Sequence, residues 1–470
     1  MTWKLFLWLL LAVQCFAQST LVLQNPSDAP INPNPWSEEE RPLAKGNKYA
    51  HLPDAPTPQI PTAGPLVQIS IKDAETLALQ HNPQITRARL LALASQQVTR
   101  EVRSNLWPIA TVNLTGVDAQ ENSRISAGSL NNPIIYDRAA AGALVSQLIT
   151  DFGHTTNLVA SARLREQAAY QNALATKEQI LLAVDQAFYE VLQERAVLKV
   201  AQETVNARQS LADQVTALAK SKLKSDLDAS FANVNLAQAK LLHLDAQNNE
   251  QSALASLSEI LGYSTLQGFE LVEDVESMSS PPADINAEIA DAFSRRPELL
   301  ALNYEYQSEQ KLQSAERDQL LPTISALGAI GVAPVRNDHL SNWYGAVGVN
   351  VAIPVFNGFR FTAQAREADL RAQATQQQFT DLRNRIARDV RTTWLAAKTA
   401  YDRLGVTQQL LDQSNQALDL AKTRYDLGLG SIVELSQAQL QQTQAEISNA
   451  QAGYDYRLAL AMLRYQTTGL

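Results

Sequence analysis

The sequence predicts a mainly α-helical chain in which long antiparallel coiled coils carry four β-strands. Three observations predict it. A seam of Val184, Val191, Leu198 and Val205 at strict intervals of seven recurs 206 residues later as Val390, Ala397, Leu404 and Leu411, with Phe188 answered by Trp394. Each seam lies in an unbroken helical pattern of about 67 residues, or ~100 Å, taller than any compact domain. Before each of these patterns stand segments whose apolar residues alternate with polar ones, the period of a strand.

The duplication extends beyond the seams. Asn82-Pro83 and Trp107-Pro108 recur 214 residues on as Arg296-Pro297 and Leu321-Pro322. A period of this size far exceeds the ~20–50 residues of a solenoid unit, so a whole structural half is repeated. The halves are residues 67–263 and 286–470, joined by a linker over 264–285 that carries Pro281 and Pro282.

Taken in order, the chain opens with Lys4, the apolar run Leu5 to Val13, and Ala17 before Gln18, which reads as a signal peptide over 1–17. Cys15, the single cysteine, would leave with it. Lipidation at Cys15 is the alternative, although Gln14 stands where a lipoprotein signal wants a smaller residue. Residues 18–66 hold ten of the nineteen prolines and form an extended, flexible lead. A helix starts at Ile71, bends at Pro83 and continues to about Leu106. Ala110 to Val117 alternates as a strand, Asp118 to Asn132 is a polar loop, and Arg138 to Thr150 is a second strand. The long helix follows Gly153 to about Lys220, a turn covers Ser221 to Asp228, and a shorter helix runs from Ala229 to Leu261. The second half repeats the plan. Its strands are Thr323 to Ala333 and a segment in which Trp343, Val347, Val349, Val351 and Ile353 share one face while Asn350 takes the other. Its helices run from Gly358 to Tyr425 and from Val433 to about Gln466. In each half the two shorter helices, stacked end to end, match the long one, giving a two-column coiled coil with a hairpin protruding at one end.

Composition narrows the function. A net charge of −9 without a basic stripe argues against nucleic acid as a partner. His51, His81, His154, His243 and His339 have no ligand spacing, and no nucleophile triad, phosphate loop or close carboxylate pair stands out, so neither metal, cofactor nor enzymatic activity is expected. No later segment reaches the ~20 apolar residues of a spanning helix, so contact with a bilayer would be through strands. Four strands cannot close a barrel, and open edges are not tolerated in lipid, which forces oligomerisation. Trp107, Tyr136, Phe152, Trp343, Tyr344 and Phe356 near the strand ends suit the interfacial belts of a membrane.

From Leu66 to Gly469 the chain resembles the TolC-like outer-membrane efflux proteins. The resemblance rests on the duplication, the junctions Trp107-Pro108 and Leu321-Pro322, the passages Leu148 to Gly153 and Ile353 to Gly358, and the turn from Arg424 to Leu435. It implies a homotrimer with a twelve-stranded barrel in outer-membrane lipid. Below it hangs a periplasmic helical tunnel whose tip forms a gate and docks a membrane-fusion adaptor and an inner-membrane pump. Carried over residue by residue, Asp228 resembles a gate carboxylate, Tyr425 a tyrosine that hydrogen-bonds to it, and Glu434 a member of an acidic ring. Asp228 and Glu434 equally suit the first turn of a helix, where a carboxylate meets the positive end of the dipole. Gly430 and Gln437 replace a gate arginine and a second ring carboxylate, so a salt-bridged lock of that kind does not carry over. The tip Leu427-Gly428-Leu429 is the expected docking point, because the first-half turn, Lys222-Leu223-Lys224-Ser225, is shorter and lacks glycine. The alternative reading is a soluble periplasmic coiled-coil spacer.

Overall fold

A computed structural model describes residues 67–117, 124–127, 130–134, 138–265, 268–273, 278–332 and 341–467. The expected signal peptide and proline-rich lead lie outside the described residues. Each half begins with a broken helix: α1 (Ile71–His81) and α2 (Pro83–Ser104) in the first, α5 (Ile285–Arg295) and α6 (Pro297–Asp318) in the second. The single bent helix expected from Ile71 is therefore two. The residue before proline is driven to extended geometry, and Asn82 (ψ 121°) and Arg296 (ψ 121°) both adopt it. Asn82 then caps α2 by accepting from Gln84 N and donates to Ile260 O, pinning the break to the far end of α4 (Asp226–Ile260).

The long helices α3 (His154–Lys220) and α7 (Arg360–Asp426) have 67 residues each, and α8 (Ile432–Thr467) returns along α7 as α4 does along α3. The seam is buried where it meets the broken helices: Val184, Phe188 and Val191 pack with Ala74, Ala78, Leu257 and Leu261, and Val390 packs with Ile289, Ala292, Leu299 and Ile386. At this level Asp185 is 4% exposed and faces Glu75 from α1 and Arg464 from α8; its pKa is raised to about 7 by burial and then by Glu75. One heptad earlier, burial and Glu298 raise Glu178 to about 7 against the pull of Arg296 and Lys177.

The strands form one sheet of order β2-β5-β7-β8: β2 (Ile109–Val117), β5 (Arg138–Thr150), β7 (Thr323–Val332) and β8 (Trp343–Ala352), antiparallel throughout. The two expected hairpins are thus joined side by side through β5 and β7. The stretch 118–132, expected as loop, contains β3 (Arg124–Ala127) and part of its partner β4 (Leu130–Ile134). The described residues of the expected linker over 264–285 make ordered contacts as well. Its Phe269–Leu271 (β6) pairs in parallel with Val67–Ile69 (β1), Glu273 bonds to Arg457, and the Trp394 indole donates to Pro282 O at 2.7 Å. Short-range periodicity cannot register such straps, because they join segments 112 to 202 residues apart.

Candidate functional site

Two regions could serve a conduit: the sheet and the far tip of the helices. Paired residues share a face of a sheet. One face carries the rows Val347–Gly328–Val145–Ala110 and Val349–Ala326–Gln147, with Trp343, Val332 and Leu114 toward one end, and is apolar but for Gln147 in these rows. Val347 is 92% and Val349 66% exposed, with no protein to cover them. The other face carries Asn350–Ser325–Leu148, Ala346–Ala329–Leu144–Thr111 and Tyr344–Gly331–Gly142–Asn113. An apolar face and a mixed one are what lipid outside and water inside require. On the mixed face the Tyr344 ring lies across Gly331 and Gly142, where a β-carbon would collide with it, so an aromatic from one strand covers glycines of the next two. Among the described residues no helix is long and apolar enough to cross a membrane.

At the far end, α3 terminates with Leu223 N bonded to Leu218 O and Lys222 N to Ala219 O, and α7 with Leu429 N bonded to Arg424 O and Gly428 N to Tyr425 O. Both are Schellman ends, and both need a left-handed residue. Gly428 supplies it at φ 73°, and Lys222 adopts it at φ 59° without glycine. The two turns therefore have the same length, Lys222–Ser225 matching Gly428–Ser431, and the shorter first-half turn expected from sequence is a misreading caused by the missing glycine. Leu223 and Leu429 become equivalent, 72% and 70% exposed, beside Leu427 at 68%.

The next helix starts three residues earlier than expected, at Asp226, because Ser225 and Asp228 close a capping box. Asp228 accepts from Ser225 N while Ser225 Oγ accepts from Asp228 N. Glu434 occupies the same position in the second half, three residues after the cap Ser431, whose Oγ accepts from Glu434 N. Its carboxylate pairs with Arg424 Nε at 3.1 Å. Arg424 also donates to Leu429 O, so it ties the turn to both helices that flank it. Gly430 fits beneath this bridge, where a β-carbon would stand 3.2 Å from both Arg424 Cβ and Glu434 Oε2.

Tyr425 is 3% exposed, among Ala212, Val215, Leu236, Ile432 and Leu435. The hydrogen bond expected from it to Asp228 is not formed, and its hydroxyl has no partner among the described residues. Burial, then Asp228 and Asp426, push its pKa up. Lys224 is its partner instead: the ammonium sits 3.9 Å from the Tyr425 ring centroid and donates to Tyr425 O at 3.3 Å. With Asn235 Nδ2 donating to Ser436 Oγ at 2.7 Å, these contacts join the first-half tip to the second. Lys224 and Arg424 were not singled out from sequence, since a lysine in a turn and an arginine in a last turn are ordinary there.

The sequence pattern of the outer membrane efflux protein family matches residues 76–263 and 289–469, one stretch in each half. The chain is 24% identical over 401 residues to the outer membrane protein TolC of Vibrio cholerae, spanning 82% of this chain and 88% of that relative. It is 24% identical over 426 residues to the alkaline protease secretion protein AprF of Pseudomonas aeruginosa, spanning 84% of each. Among solved structures, the outer-membrane channel OprN shares the fold at a TM-score of 0.76 and 17% identity, over 85% of this chain and 90% of that one. CusC shares it at 0.75 and 19% identity, over 85% and 92%. With its duplicated helical columns and its sheet apolar on one face, the chain belongs to the outer membrane efflux protein family.

Proposed function

We propose that this protein is the outer-membrane exit duct of a tripartite efflux or type I secretion system, through which cargo passes passively from a periplasmic pump assembly to the exterior. The observation that carries the reading is the sheet: one face is apolar over most of its length, with Gln147 the polar residue toward the helical end, the opposite face is mixed, and both edge strands lack a partner among the described residues. Such a sheet is stable in lipid only as part of a closed barrel. Three copies would give twelve strands, and the coiled columns below would continue the lumen into the periplasm.

In this reading the tip is the gate, and the two long hairpins of each copy must part to open it. Asp228 and Glu434 stand at equivalent helix starts, Tyr425 packs between the hairpins, and Lys224 and Arg424 hold the turns closed. Leu427, Gly428 and Leu429, together with Leu223, form the apolar tip on which a membrane-fusion adaptor docks, bringing an inner-membrane pump into line. A relative named for protease secretion fits a polypeptide exporter as well as a small-molecule pump, and the pump would select the cargo.

The test is fractionation followed by mass measurement in detergent. Extraction from the outer membrane only with detergent, as a trimer, supports the duct. Release by osmotic shock as a soluble species would instead support the coiled-coil spacer.

A further inference from the structure

The duplication predicts how copies of the chain meet. Residue 206 positions on is the structural equivalent for β5, α3 and the first tip. Helix His154–Lys220 becomes Arg360–Asp426, and the left-handed pair Phe152 and Gly153 becomes Gly358 and Phe359. For α2 and β2 the equivalent lies 214 positions on, Pro83–Ser104 becoming Pro297–Asp318. The two shifts together reproduce a ladder that is formed: the pair Ile109↔Ser146 is carried onto Thr323↔Ala352, which pair in β7 and β8.

Within the chain, the back of the first half (β5, α3) packs on the front of the second (β7, α6). The back of the second half (β8, α7) and the front of the first (β2, α2) have no such partner among the described residues. We propose that β8 of one copy pairs with β2 of the next in the register that the internal β5–β7 contact dictates. Leu144↔Ala329 then becomes Asn350 against Thr115 of the next copy, and Val145↔Gly328 becomes Val351 against Leu114 of the next copy. This deepens the exit-duct reading and rests on it.

Two independent features agree. Asn350 and Thr115 both lie on the mixed face and Val351 and Leu114 both on the apolar face, so the seam continues each face; a slip of one residue would cross them. Below the sheet, the contact of His154 Nδ1 with Ala315 O maps onto Arg360 and Glu101 of the next copy. These are opposite charges, and neither forms an ion pair among the described residues of its own chain.

Cysteine pairs test the register in the full chain with Cys15→Ser. Directly opposed residues of an antiparallel pair have Cα atoms ~4.5–5.5 Å apart, within disulfide range, whereas partners offset by two stand ~7–8 Å apart and outside it. Oxidation in membranes should give a reducible covalent trimer from Asn350→Cys with Thr115→Cys, or from Val351→Cys with Leu114→Cys, and none from Asn350→Cys with Asn113→Cys. Cross-linking of the offset pair alone, in a protein that is trimeric in detergent before oxidation, overturns the register and leaves the duct standing. A monomeric parent overturns both. The charge swap Arg360→Glu with Glu101→Arg supplies a second reading: each single change should lower the temperature at which the trimer dissociates and the double change should restore it. Additive losses overturn the ion pair.

Discussion

Val349→Arg tests the assignment of the sheet's faces. Val349 sits on the apolar face, 66% exposed, opposite Ala326. It lies six residues from Trp343 and four from Ile353, so more than ~10 Å of strand separates it from either end of the apolar band. An arginine on the lipid face near the midplane costs ~2–4 kcal/mol, and in three copies ~6–12 kcal/mol per assembly. Asn350→Arg, one residue on, places the same charge on the face with Ser325, where water can solvate it, and should cost less than ~1 kcal/mol per copy. Urea-induced dissociation of the trimer in lipid vesicles, followed on gels without boiling, measures the difference. Equal midpoints for the two variants would show that the face assignment, and with it the lipid-facing side of the whole sheet, is wrong.

At the tip, Lys224→Met keeps the aliphatic stem but removes the charge that lies over the Tyr425 ring and bonds to Tyr425 O, contacts worth ~1–3 kcal/mol together. Resting conductance in planar bilayers should rise. Tyr425→Phe removes only a buried hydroxyl without a partner among the described residues and should leave conductance unchanged; a leaky Tyr425→Phe channel would mean that the hydroxyl bonds to a neighbouring copy. Because Arg424 offsets Glu434, Arg424→Ala should strengthen block by multivalent cations and Glu434→Gln should weaken it, with stability changes below ~1 kcal/mol for so exposed a pair. Block that ignores both substitutions would place the acidic ring elsewhere. Asp185 and Glu178 bind a proton more tightly folded than unfolded, so they make stability fall as pH rises from ~4 to about 7 and add no slope above it. Thermal melting should therefore be higher at pH 6 than at pH 8, a range in which ordinary carboxylates stay ionised. Asp185→Asn with Glu178→Gln should flatten that dependence, and an unchanged slope would show that other groups set it.

What the sequence determined by itself was everything of short period. The heptad seam over Val184 to Val205 and Val390 to Leu411 placed the long helices, because burial every 3.5 residues is written locally. Alternation of Val347, Val349 and Val351 with Asn350 set the phase of β8 for the same reason. The tip was legible only in part: Gly428 marks a left-handed helix end, whereas Lys222 takes the same conformation with no signal, and the matching length of the two turns was hidden. Tertiary structure alone decided the contacts between segments distant in sequence. These are the β5–β7 seam that merges two hairpins, the β1–β6 strap, Lys224 on Tyr425, and Asp185 facing Glu75 and Arg464. Each depends on which surfaces the long helices bring together from segments at least 110 positions apart, the separation of Glu75 and Asp185, and that is beyond the reach of any local pattern.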